Sequence, residues 1–117
     1  MGSMSVKLPE VCDVIRSKNS GPFELTLDMI FSDFETYRRA KAARLINEEL
    51  IAKLYGITPE KVLGVIYFDP AKAIKATIAR ALPCGSPGDT DVYGAQQHAP
   101  LLDIDVPDEI AGVRSQL

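Results

Sequence analysis

The chain has few of the residues that build a self-contained catalytic centre. It holds one histidine, His98, which excludes any multi-histidine metal site, and one imidazole among carboxylates would hold a metal only weakly. No metal is therefore expected, and no cofactor is assigned. Its two cysteines, Cys12 and Cys84, lie far apart, so there is neither a disulfide framework nor a Cys-x-x-Cys pair. They read as two reduced thiols. No apolar run approaches the roughly 20 residues that cross a bilayer, and no signal peptide is visible. The expected location is cytoplasmic, without a membrane partner. Basic residues do not dominate: 13 Lys and Arg stand against 16 Asp and Glu, a net charge of −3. That weighs against nucleic acid as a partner, since phosphate binding needs a basic face. Walker and Rossmann glycine spacings are both absent, and no Ser–His–Asp or Cys–His constellation can be argued.

What is present suits one small folded domain. The 117 residues are 46% hydrophobic and 25% charged, enough for one modest core. Met1-Gly2-Ser3 ahead of Met4 reads as an expression scar, and residues 1–5 as a disordered start. Residues 6–107 form the expected α+β domain, and 108–117 a flexible tail.

Pro9 starts a short turn, followed by an extended piece through Val14 and Ile15 and a turn at Lys18 to Pro22. Phe23 to Phe31 (FELTLDMIF) alternates strictly, which predicts a strand with one buried face. Ser32 and Glu35 have capping-box spacing ahead of a helical run, and Asn47 is a second N-cap candidate with Gly56 as its C-terminal stop. One broken helix or two should cover roughly 33–55. Val62 to Phe68 reads as a well-buried strand and residues 73–82 as its hairpin partner. Residues 83–94 form a long Pro-, Gly- and Asp-rich loop, Gln96 to Pro100 at most a short helix, and Leu101 to Val106 a last strand. The order predicts a ferredoxin-like β-α-β-β-α-β sandwich, its sheet mainly antiparallel with helices on one face.

Three polar clusters are candidates for chemistry. Arg16, Ser17, Lys18 and Asn19 precede a tight turn and could hold a carboxylate or phosphate, or be a solvated turn. Glu24, Thr26 and Asp28 share the polar face of the first strand, as a ligand patch or an ordinary wet sheet surface. Ser86, Asp89, Thr90, Asp91, Tyr93, Gln96, Gln97 and His98 make the third cluster. There His98 is the one side chain with an unperturbed pKa near neutrality, and Asp89 or Asp91 could orient it. The alternative is a structured loop capped by Asp and Thr. Lys75 and Arg80 add positive charge to the sheet.

Four stretches carry a resemblance: Ile15 to Asp28 (IRSKNSGPFELTLD), Leu54-Tyr55-Gly56, Phe68-Asp69-Pro70 with Lys75 to Ile78, and Gly88 to Asp103 (GDTDVYGAQQHAPLLD). They are similar to the domain of unknown function 4387 family, small proteins encoded beside or fused to acyclic terpene utilisation (AtuA-like) proteins. The likeness covers about residues 8–107. It also resembles the small C-terminal domain of AtuA-like proteins, a ferredoxin-like unit with an Arg-Ser-Gly-Asp-Lys-Gly-type turn. Here the turn is Arg16 to Gly21, departing at Asn19-Ser20.

The resemblance implies a small subunit that works with a larger AtuA-like protein, as a lyase of the hydratase or dehydratase type acting on a small carboxylate or acyl-CoA compound. Arg16 and Lys18, with Asn19 and Lys75, would bind the anionic group. His98 would move the proton, oriented by Asp89 or Asp91, while Thr26 and Gln97 position substrate. Two other readings stand beside this one. The chain could be a non-catalytic interaction or regulatory module of that partner, or a stand-alone small-anion-binding protein that forms a homo-oligomer when isolated.

Overall fold

In a computed structural model, residues 4–21, 23–79 and 98–112 are described. Residue 8 opens a 3-10 turn set by Pro9, as the sequence suggests. Strand β1 (Ser5–Lys7) precedes it and β2 (Cys12–Asn19) follows. The alternating segment forms β3 (Glu24–Phe31). Two helices come next, α1 (Phe34–Ala43) and α2 (Glu48–Tyr55). Then come the hairpin strands β4 (Val62–Phe68) and β5 (Ala73–Ala79), joined by a 3-10 turn at Asp69-Pro70-Ala71. Another 3-10 turn (Ala99–Asp103) leads into β6 (Asp105–Pro107) and the one-turn helix α3 (Asp108–Ala111).

The helix boundaries follow from side chains that satisfy orphan backbone N–H groups. Asp33, not Ser32, caps α1: its carboxylate accepts from Thr36 N at 2.7 Å. Ser32 instead donates to Asp13 at 2.8 Å. Asn47 caps α2 as expected, accepting from Leu50 N at 2.8 Å. Gly56 closes α2 in the left-handed region at φ 65°, where a Cβ would cost energy.

The four long strands form an antiparallel sheet in the order β2-β3-β5-β4. Helices α1 and α2 connect β3 to β4, and β5 lies between those two strands. The α+β class and the antiparallel sheet are as expected; among the described residues the sheet order β2-β3-β5-β4 does not bear out the full β-α-β-β-α-β order. The place beside β3 is filled from the N-terminal side, by β2. The last strand does not join this sheet. Leu101 to Asp103 turn as a 3-10 helix behind Pro100, and only Asp105–Pro107 is extended, paired with β1 in a separate two-stranded ribbon. The expected flexible tail also folds at its start. Residues 108–111 make α3, which buries Ile110 and Ala111, while Arg39 Nε donates to the Ile110 carbonyl at 2.8 Å. No helix among the described residues is long and apolar enough to cross a membrane.

One face of the sheet carries the core. Leu25, Leu27, Met29, Ile74 and Ala76 pack against Tyr37, Ala40, Ile51 and Ala52 of the helices. Tyr37, wholly buried, donates its hydroxyl to Asp69 at 2.6 Å, and Lys41 donates to the same carboxylate at 2.9 Å. The β4–β5 turn is thereby tied to α1. Burial, then the hydrogen bond to Asp69, raises the Tyr37 pKa above its ordinary value.

Two predictions follow from these ties. Asn47→Ala removes a side-chain cap and should cost about 1 kcal/mol in urea unfolding. The Thr36 amide holds the Asp33 carboxyl below the ordinary 3.8, and the Tyr37 hydroxyl with Lys41 does the same to Asp69. A depressed folded-state pKa stabilises above the unfolded value and stops doing so as pH falls through the folded one. The melting temperature should therefore drop below pH 3.8, and the Asp33→Asn/Asp69→Asn double variant should drop less over the same range. Parallel slopes for the two proteins would refute this assignment.

Candidate functional site: the open face of the sheet

The face away from the helices is ordered by the strand register. Cross-strand pairing lines up Arg16 of β2, Asp28 of β3, Lys75 of β5 and Ile66 of β4 in one row. The row below runs Lys18, Thr26, Thr77 and Gly64, and the row above Val14, Ile30, Ala73 and Phe68. Side chains opposite one another in adjacent antiparallel strands are direct neighbours, so each row is a line of contacts.

The middle row holds the charge. Asp28 is only 7% exposed although it faces away from the core, because β2 and β5 flank it on both sides. Arg16 Nε donates to its Oδ2 at 3.1 Å, and Lys75 Nζ stands 3.9 Å from its Oδ1. Both cations are half-exposed or more. Two positive charges over one carboxylate leave a surplus of one. Arg16 makes this contact through Nε, and the two terminal amino groups of a guanidinium are the paired donors that grip a carboxylate in parallel.

An open cleft of about 420 Å³ surrounds this row, lined by Arg16, Asp28, Lys75, Ile30, Ile66, Phe68, Ala71 and Ala73. Its floor is charged and its wall along β4 and the β4–β5 turn is apolar. A second hollow of about 360 Å³ lies beside Phe34, Arg38, Lys41 and Asp69. There the carboxylate already braces Tyr37 and Lys41, so the arrangement is structural.

The sequence-derived candidates divide accordingly. Arg16, Thr26 and Lys75 come together on the open face, and Lys18 joins them one row along. Asn19 pairs with Leu25 and so belongs to the helix-facing side of β2. Thr26 is 5% exposed, more buried than a wet sheet surface would leave it. His98 stands at the head of the 99–103 turn, which packs on α2 and on the turn after β1, and is not among the cleft-lining residues. Asp89, Asp91 and Gln97, with Arg80, lie outside the described residues. Sequence reading undervalued Asp28, whose burial follows from its central strand, and missed Ile66 and Phe68, which it placed in a well-buried strand. They are 57% and 53% exposed because β4 is an edge strand.

Among the described residues no group of three or more His, Cys, Asp or Glu is placed to hold a metal ion. Cys12 is buried, and burial pushes its thiol up to about 12, far from a reactive thiolate.

Residues 8–105 match the model of the family described as Domain of unknown function (DUF4387), and the chain belongs to that family. No match is found among curated proteins or among solved structures.

The charge row has a thermodynamic consequence. Removing both cations strands a buried carboxylate, whereas removing the carboxylate leaves two cations that water can reach. Arg16→Ala/Lys75→Ala should therefore lose about 2 kcal/mol of stability, and Asp28→Asn less than about 1 kcal/mol, in paired urea titrations. The opposite ranking would show that Asp28 is not the group that needs compensation.

Proposed function

We propose that this chain is the small subunit of a larger AtuA-like enzyme and that its open sheet face holds the anionic end of the substrate, a small carboxylate or acyl-CoA compound. The observation that carries this reading is the Arg16–Asp28–Lys75–Ile66 row. Arg16 and Lys75 offer a net positive charge on a rigid sheet, with Asp28 setting their positions. Ile66, Phe68 and Ile30 offer apolar contact to a short carbon chain beside the charge. Such a floor suits an amphipathic anion better than inorganic phosphate, which has no use for the apolar wall.

The same row speaks for a share of a site over a whole one. Its lining residues are cations, apolar groups and one carboxylate already engaged by Arg16, with no histidine among them, and this reading therefore takes the proton carrier from the partner. The larger partner supplies it in this reading, with chemistry of the lyase type, a hydration or elimination beside the bound carboxylate.

The test has two arms. The chain is co-expressed with the AtuA-like protein of the same host and the complex weighed by native mass spectrometry; a stoichiometric complex is expected. Thermal shift is then measured with acetate, butyrate and coenzyme A. Butyrate should stabilise more than acetate at equal concentration, and Arg16→Ala or Lys75→Ala should remove the shift. A complex with no ligand response, unchanged by these variants, would leave an interaction module in place of a substrate-binding subunit. Ligand response without a complex would leave a stand-alone anion-binding protein.

A further inference from the structure

We propose that the outer edge of β4 pairs with β4 of a second copy of this chain, joining two four-stranded sheets into one continuous sheet of eight. Ile66 and Phe68 line the cleft as well, so the pairing borders it, but the pairing does not depend on whether the cleft binds an anion.

The two edges of the sheet differ in a way that selects the partner. Edge strands that stay single are usually blunted by charge or proline. Strand β2 carries Asp13, Arg16 and Lys18. Strand β4, Val62–Phe68 (VLGVIYF), carries no charged residue and no proline over seven positions, and its one irregularity, between Val62 and Gly64, leaves Gly64 to Phe68 in regular register. Among the described residues no strand pairs with its outer side. Large apolar side chains nevertheless project from it: Leu63, Ile66 and Phe68 are each more than half exposed. A two-fold axis brings each residue near its own symmetry mate, so a self-pairing edge must tolerate like against like. Uncharged β4 meets that condition. A β2–β4 contact would instead run head to tail and leave open ends for a filament.

The register also follows. Gly64, Ile66 and Phe68 lie on the same face of β4, as their partners Thr77, Lys75 and Ala73 on β5 show. A Cβ added at Gly64 would meet nothing within 4 Å, so the surface above it is open. An antiparallel pair centred on Ile66 sets Ile66 against its own copy and lays Phe68 over the bare Gly64 of the second chain, twice by symmetry. An aromatic ring across from a strand glycine covers backbone that the glycine leaves bare. Centring on Val65 would instead set Phe68 opposite Val62, whose side chain is already buried against the helices.

Sedimentation of the full chain over a wide concentration range should give a species of twice the 12.8 kDa chain mass. Phe68→Ala should raise the dissociation constant by about tenfold or more. Under mild oxidation Ile66→Cys should form a covalent dimer quickly, and Leu63→Cys, equally exposed but not opposite itself, about tenfold more slowly or not at all. Backbone amides of Val62–Phe68 should exchange more slowly in concentrated than in dilute solution. A monomer at millimolar concentration overturns the proposal, as do β4 amides whose exchange ignores concentration. Equal cross-linking at the two positions overturns the register.

Discussion

A carboxylate in the middle of a sheet imposes a condition on everything around it. Asp28 stands on β3, the strand flanked by β2 on one side and β5 on the other. Burying its charge without compensation would cost several kcal/mol. Arg16 and Lys75 sit on the two flanking strands at the one register where both reach it. Slipping either neighbour by one residue would send its cation to the helix-facing side, into the apolar core, and present Ile15 or Ser17 of β2, or Ile74 or Ala76 of β5, to Asp28 in place of a positive charge. The ion row and the hydrophobic core thus specify the same register from opposite faces. The attraction in each half-exposed pair is small; the penalty for the wrong pairing is large.

The helix-facing side is fixed by a second use of the same device. Asp69 belongs to the turn between β4 and β5, yet Tyr37 and Lys41 of α1 both donate to it. Tyr67 on β4 donates its hydroxyl to the Ile46 carbonyl at 2.5 Å, in the link between the two helices. Two phenols that enter the core from opposite layers thus end on polar groups at the rim, so neither hydroxyl is buried unpaired. These rim contacts hold the helices over one face, which leaves the other face open for Arg16, Lys75 and the apolar side chains of β4.

The local part of this architecture was legible in the sequence. Period-2 alternation located β3, Asn47 and Gly56 bracketed α2, and Asp69-Pro70 marked the hairpin between β4 and β5. Each of these signals lies within a few residues of its effect. The misreadings share a different origin. Val62 to Phe68 is apolar throughout, the pattern of a strand covered on both faces, but coverage depends on which strands lie beside it, and β4 is at an edge. Thr26 and Asp28 read as wet because they alternate with core residues, yet an interior strand flanked by long side chains hides its polar face too. Leu101 to Val106 alternates enough to suggest a sheet strand, while Pro100 favours the 3-10 turn that forms. The candidate site inherits this division. Arg16 and Lys75 were visible as cations, and the carboxylate that brings them together became evident only once the strands were paired.

The open face joins two features that an ordinary solvated sheet surface would keep apart. Water-facing sheets carry mixed polar side chains with little net charge at any point, and large apolar side chains scattered singly. Here a surplus positive charge is held in place by a buried anion, and the apolar exposure gathers on one adjacent strand. A buried counter-charge is a costly way to hold two lysine-like side chains if solubility were the whole purpose, since exposed Lys and Arg need no anchor. It is an economical way to keep two cations at fixed positions on a rigid surface before anything binds, because their ordering is paid during folding instead of on association. For the proposed amphipathic anion, the apolar strand beside them would add what charge lacks, a contact that salt does not screen. Charge fixed at one place and apolar surface at its border are the two features on which the proposed ligand-binding role of this face rests.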